Sequence, residues 1–183
     1  MLSVIVLGSA AGGGVPQWNC ACAVCRAAWA DPSLRSGQAS LAVSGDGGER
    51  WFLINASPDL RQQILDTPAL HPRGPALRHS PIAGVVLTNG EIDAVAGLLS
   101  LREGWPFAIY GHQRVLDTLA DNSLFNVLPP DRVPRRPMAV GAPFAACAAD
   151  GAPSGLVIEA FAVPGKPAWY LAGRSSSSPP APA

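Results

Sequence analysis

Ile82-Ala83-Gly84-Val85-Val86-Leu87 runs straight into Thr88-Asn89-Gly90-Glu91-Ile92-Asp93-Ala94. The first six residues are apolar, with two β-branched valines, and read as a buried strand. Strand ends in α/β proteins commonly place side chains into a cleft, and this one delivers two carboxylates, Glu91 and Asp93, at i and i+2. Both offer oxygen ligands to a hard or borderline metal. A second role fits the same residues: Asp93 caps the helical stretch Ala94–Leu101 while Glu91 complements its dipole. The sequence leaves both roles open.

The surrounding chain alternates strand and helix without strict βαβ regularity. Strands are predicted at Ser3–Leu7, Ser40–Ser44, Trp51–Asn55, Phe107–Tyr110 and Leu156–Val163. Helices are predicted at Cys22–Trp29, Leu60–Leu65 and Gln113–Asp121, the second started by Ser57-Pro58-Asp59. His71–Pro81 and Pro129–Pro143 read as proline-rich loops. The class is therefore mixed α/β. From Gly173 the chain becomes serine- and proline-rich, so 173–183 is expected to be a disordered low-complexity tail behind a folded region 1–172.

Upstream, Asn19-Cys20-Ala21-Cys22-Ala23-Val24-Cys25 holds three of the four cysteines. A C-x-C-x2-C cluster supplies three of the four tetrahedral ligands of a structural zinc from one short loop. The competing reading is three buried, inert thiols. No fourth ligand lies beside the cluster. Cys147 stands among alanines and reads equally well as a small buried hydrophobe. His71 and His79 lie in the Pro/Arg-rich loop, and His112 precedes a helix. The glycine-rich Gly8–Gly14 matches neither G-x-G-x-x-G nor a P-loop, where Gly14 stands in place of lysine, so it reads as a tight backbone turn.

Composition narrows the partners. The 183 residues are 48% hydrophobic and 14% charged, with zero formal net charge, which suggests neither nucleic acid nor an acidic surface as partner. Nineteen glycines and nineteen prolines describe a loop-rich globular chain. No apolar run approaches the ~18 residues of a membrane span. Leu2–Leu7 lacks the charged flank of a signal peptide. The expected setting is cytoplasmic and reducing, which favours metal ligation over disulfides.

Several segments together resemble one family. They are Leu7-Gly8-Ser9-Ala10-Ala11-Gly12-Gly13-Gly14-Val15-Pro16-Gln17-Trp18-Asn19-Cys20 with Cys22 and Cys25, then Leu53–Ile64, Arg78–Asn89, Asn122–Leu128 and Phe161–Lys166. In this order they are similar to the PqqB proteins of coenzyme PQQ synthesis, related to the metallo-β-lactamase fold. The resemblance runs from residue 1 to about residue 172. It implies an αββα sandwich, of which only the N-terminal half is present. It also implies a structural Zn²⁺ on Cys20, Cys22 and Cys25, and a role in making pyrroloquinoline quinone.

Two activities are implied for such a family. One is an iron-dependent oxygenase, with Fe²⁺ at the active site of the intact protein, that hydroxylates the tyrosine ring of a peptide-derived precursor. The other is a carrier that moves PQQ or its precursor towards the periplasm. Asp93 and Glu91 would be the catalytic residues, with Asp93 a metal ligand; a homo-oligomer stays open.

The fold relatives' H-x-H-x-D-H motif is reduced here. Asn89 and Glu91 occupy the first two histidine positions, as the family leads one to expect, but Ala94 stands where the family usually keeps a closing histidine. The chain reads as truncated after about residue 172, as by a frameshift or early termination. Half a sandwich is expected to leave one sheet face open and the chain alone marginal or aggregation-prone.

Overall fold

The computed structural model describes residues 1–165 together with Ala168 and Tyr170. The tail expected at 173–183 lies outside the described residues. Six strands form one sheet in sequence order: β1 (Ser3–Gly8), β2 (Ser40–Ser44), β3 (Trp51–Ile54), β4 (Ile82–Leu87), β5 (Ala108–Gly111) and β6 (Arg135–Pro137). β1, β2 and β3 pair antiparallel, and β3 to β6 pair parallel. A separate antiparallel pair, β7 (Phe144–Cys147) and β8 (Pro153–Ile158), follows. The helices are α1 (Ala23–Ala30), α2 (Leu60–Leu65), α3 (Ile92–Val95) and α4 (Gln113–Ala120), with a 3-10 stretch over Ala96–Leu101.

The pleat divides the core. Successive side chains of a strand point to opposite faces. Leu53, Val85, Leu87 and Ile109 therefore join one cluster with Leu60 and Leu98, from the helical segments, and Leu119 of α4. Phe52, Val86, Ala108 and Tyr110 join another, closed by Ala146 of β7 and Leu156 of β8. Every residue of β4 is buried, as suits a central parallel strand covered on both sides.

This corrects the expectation of a wholly open face. The β7–β8 pair already covers the sheet over β3 to β5. What stays open is the edge: Val4 is 55% and Val6 65% exposed on β1, on the face they share with Phe52. Two further differences concern boundaries. Arg135–Pro137, expected within a loop, is a strand because β5 pairs with it, and Phe144–Cys147, to which the sequence assigned no element, is a strand because β8 pairs with it. The last strand ends at Ile158 rather than Val163, since its partner β7 sets its register. Among the described residues no helix is long and apolar enough to cross a membrane.

Candidate metal centre

Parallel pairing brings the C-terminal ends of β3, β4 and β5 to one edge of the sheet, the edge at which open α/β sheets bind ligands. Asn55 follows β3 there, with φ of 62°. Asparagine is among the few residues that enter this left-handed region readily. Its Oδ1 accepts from the backbone N–H of Thr88 at 2.9 Å and from the Thr88 hydroxyl at 3.0 Å. The strand end after β4 is thereby tied to the one after β3.

Beyond Thr88 the chain turns back on itself. Asn89 Oδ1 accepts from the Glu91 N–H at 2.9 Å. Glu91 occupies the cap position of α3, without a side-chain capping bond, and Asp93 lies in the first turn. The capping role weighed for Asp93 is thus not the one it plays: the helix begins before it. The Asp93 carboxylate instead lies against the glycine loop. A Cβ added to Gly12 would collide with it, sitting 2.9 Å from Asp93 Cγ. Tyr170 donates its hydroxyl to the carbonyl of Gly90. Burial, then the charge of Glu91, pushes the Tyr170 phenol above its ordinary range.

The loop's own anchors are buried amides and a carboxylate. Gly13 N–H donates to Gln38 Oε1 at 3.0 Å, and Gln38 N–H donates to Asp59 Oδ2 at 2.8 Å. Gln63 Nε2 donates to the carbonyl of Gln38 at 2.8 Å, and the Ser57 hydroxyl donates to Gln63 Oε1 at 2.9 Å. Gln38, Ser57 and Gln63 are buried and mutually satisfied, as buried polar groups must be. None of Gly12, Gln38 and Asp59 was distinguishable as a site residue in the sequence. The one local hint was the density of glycines in Gly8–Gly14.

The cysteines converge as their spacing predicts. The sulfurs of Cys20, Cys22 and Cys25 all lie within 4.8 Å of one another. Cys22 is the residue before α1, and Cys25 is in its first turn, buried. Thiolates about 2.3 Å from a tetrahedral zinc stand roughly 3.8 Å apart, so small side-chain adjustments let this trio fit the ion. Cys147 is not among them; it sits on β7, where its backbone bonds the Tyr110 hydroxyl. Among the described residues no His, Asp or Glu completes the cluster.

The backbone N–H of Cys25, then the Cys20 and Cys25 thiols, lower the Cys22 thiol to about 7. A Gln17 backbone bond lowers Cys25, but burial and the neighbouring thiols outweigh it and push that thiol up. Because the thiolate is the nucleophile, Cys22 is expected to be alkylated first by iodoacetamide in metal-free, reduced protein. Its rate should climb as pH rises through about 7. Peptide mapping after timed labelling checks this; a midpoint near the ordinary ~8.5 would contradict it.

The remaining sequence candidates are placed elsewhere. His112 caps α4, its Nδ1 accepting from Arg114 N–H at 3.3 Å. His71 Nε2 meets the carbonyl of Leu65 at 3.1 Å. His79 stacks edge-on against Trp105 and lines a cavity of about 550 Å³ with Ile82 and Phe107. That cavity opens at the start of β4 and β5, the opposite end from Asp93. Ala94 is only 3% exposed and packs in the helix-side core. Asp93 and Glu91 gain no third His, Cys, Asp or Glu donor among the described residues. These residues alone do not fit an iron centre.

A β-lactamase superfamily domain model matches residues 50–179. The chain belongs to the β-lactamase superfamily. Coenzyme PQQ synthesis protein B of Rhodopseudomonas palustris is 69% identical over 175 residues, covering 96% of this chain and 56% of that protein. The protein of the same name from Gluconobacter oxydans is 55% identical, covering 96% and 58%. The crystal structure of Zn²⁺-bound PqqB from Methylobacterium extorquens superposes with a TM-score of 0.84 at 51% identity, covering 93% of this chain and 55% of that one. A diphosphatase of the PhnP family superposes at 0.59 with 26% identity, covering 76% and 51%. The chain thus spans about half the length of the relatives it matches.

Proposed function

We propose that this chain is the metal-binding N-terminal half of a PqqB-type protein acting in pyrroloquinoline quinone biosynthesis in the cytoplasm. The observation that carries the reading is the convergence of Cys20, Cys22 and Cys25, in a chain so similar to proteins of that name. The three thiolates would hold Zn²⁺, which supplies rigidity and no redox chemistry. They tie the loop before α1 to the first turn of that helix.

Asp93 and Glu91 form the second part of the proposal. In the full-length relatives they would contribute to a reactive centre that hydroxylates the tyrosine ring of a peptide-derived precursor. The chain's own residues supply one edge of such a centre. Asp93 lies against Gly12, and the loop before Glu91 is shaped by Asn89 and tied down by Asn55. The other donors would come from elsewhere in a longer protein.

A carrier role for PQQ or its precursor is the second reading. It is favoured by Ala94, which packs in the core and offers no ligand atom.

Metal content of protein purified without chelators, under reducing conditions, tests the proposal. About one zinc per chain without iron is expected. Iron in addition would place catalysis in this chain. No zinc would remove the structural site. Precursor binding without oxygen consumption would select the carrier.

A further inference from the structure

We infer that Gln17 couples the cysteine cluster to Asp93, so that metal loading of the cluster fixes the glycine loop against the Asp93 carboxylate. The inference rests on the reading of the cluster as a zinc site. It makes Gln17 a positioning residue, acting through the cysteine loop on one side and Gly13 on the other.

The contacts run in an unbroken series. The carbonyl of Gln17 accepts from the Cys20 N–H at 3.0 Å. The Gln17 side chain lies over Gly13: a Cβ there would stand 2.9 Å from Gln17 Cγ and 3.0 Å from Nε2. The next residue, Gly12, presents its bare Cα to Asp93. Cluster, Gln17, Gly13, Gly12 and Asp93 are thus neighbours in turn.

The loop has a second attachment that no metal controls. Gln38 holds the Gly13 N–H, and Asp59 holds Gln38. Val15 and Ser36 exchange backbone bonds at 2.8 Å in both directions. Ala10 likewise donates to the Gly37 carbonyl at 2.9 Å and accepts from the Ala39 N–H at 2.8 Å, so both flanks of the loop are pinned and Gln17 is its link to the cysteine loop. The three sulfurs lie within 4.8 Å of one another but are joined by no covalent bond. A tetrahedral ion imposes a fixed mutual geometry on them. Gln17 is the side chain through which the gain in order reaches Gly13.

The test titrates zinc into metal-free, reduced, ¹⁵N-labelled full chain. It follows hydrogen exchange and amide shifts of Gly12 and Gly13, with bound zinc measured in parallel. Zinc saturation is expected to slow exchange at both glycines about tenfold or more, while Ala145 on the distant β7 stays unchanged. Gln17→Ala should bind zinc at the same stoichiometry and lose the slowing. Gln17→Met, which keeps the stem over Gly13, should restore most of it. Zinc binding with silent glycines would overturn the coupling alone, as would a Gln17→Ala response equal to the parent's. Absence of zinc binding would overturn the metal reading and the coupling with it.

Discussion

Cys25→Ala is expected to abolish stable zinc binding. Cys25 is the buried member of the trio, in the first turn of α1, with its sulfur within 4.8 Å of both others. Removing it leaves Cys20, and Cys22 at the exposed edge, to hold the ion from one side. Losing a partner that merely supports a ligand typically costs 10–100-fold in metal affinity, so losing a thiolate itself should exceed roughly 100-fold. Zinc per chain should fall from about one to a small fraction under dialysis against a moderate chelator. Because binding free energy at a structural site is also folding free energy, the variant's Tm should no longer rise when zinc is added. Cys147→Ala is the control. That thiol is outside the cluster, so zinc content should match the parent. Full zinc retention in Cys25→Ala would mean that the trio is not the site.

This cluster was legible because it is local. A C-x-C-x2-C spacing at a helix start brings the sulfurs together whatever the rest of the fold does. The buried strand Ile82–Leu87 was legible for a similar reason, since an unbroken apolar run has few alternatives. The contact between Gly12 and Asp93 was not. Nothing in a run of glycines says which carboxylate it will meet; that is decided by β1 and β4 entering the same sheet. Nor did Asp93 announce that its helix begins before it, since Glu91 and Asp93 are equally acceptable near a helix start. Arg135-Arg136-Pro137 has no strand propensity worth naming, and it is a strand because Ile109–Gly111 offers it hydrogen bonds. Gln38 and Asp59 became readable as parts of the site only once the loop they hold was seen to reach Asp93.

Gly97→Ala is expected to disturb the Asp93 edge and the fold together. Gly97 lies in the 3-10 stretch behind α3, and its N–H donates to the carbonyl of Ala56 at 2.9 Å. The Ala56 N–H in turn donates to the carbonyl of Ala94 at 2.7 Å. These two bonds clamp the segment carrying Asp93 to the loop after β3. A Cβ on Gly97 would run into the carbonyl of Ser57 and stand 2.8 Å from both C and O of Ala56. These are backbone atoms, so no rotamer change relieves the overlap, and one of the two segments must withdraw. Overpacking of this kind costs about 1–3 kcal/mol, and the upper end is expected here because hydrogen bonds are stretched as well. Gly90→Ala makes the contrast. Its nearest neighbour would be Thr118 Cγ2 at 3.5 Å, ordinary van der Waals contact, and the cost should stay within about 0.5 kcal/mol. Urea unfolding of the two variants beside the parent measures the difference, and equal midpoints would refute the clamp. Amide shifts at Gly12 carry the local half of the argument. If the segment behind Asp93 withdraws, the carboxylate leaves Gly12 and its signal moves in Gly97→Ala. A destabilised variant with an unmoved Gly12 would show that α3 is held from the loop side, by the glycines, rather than from behind.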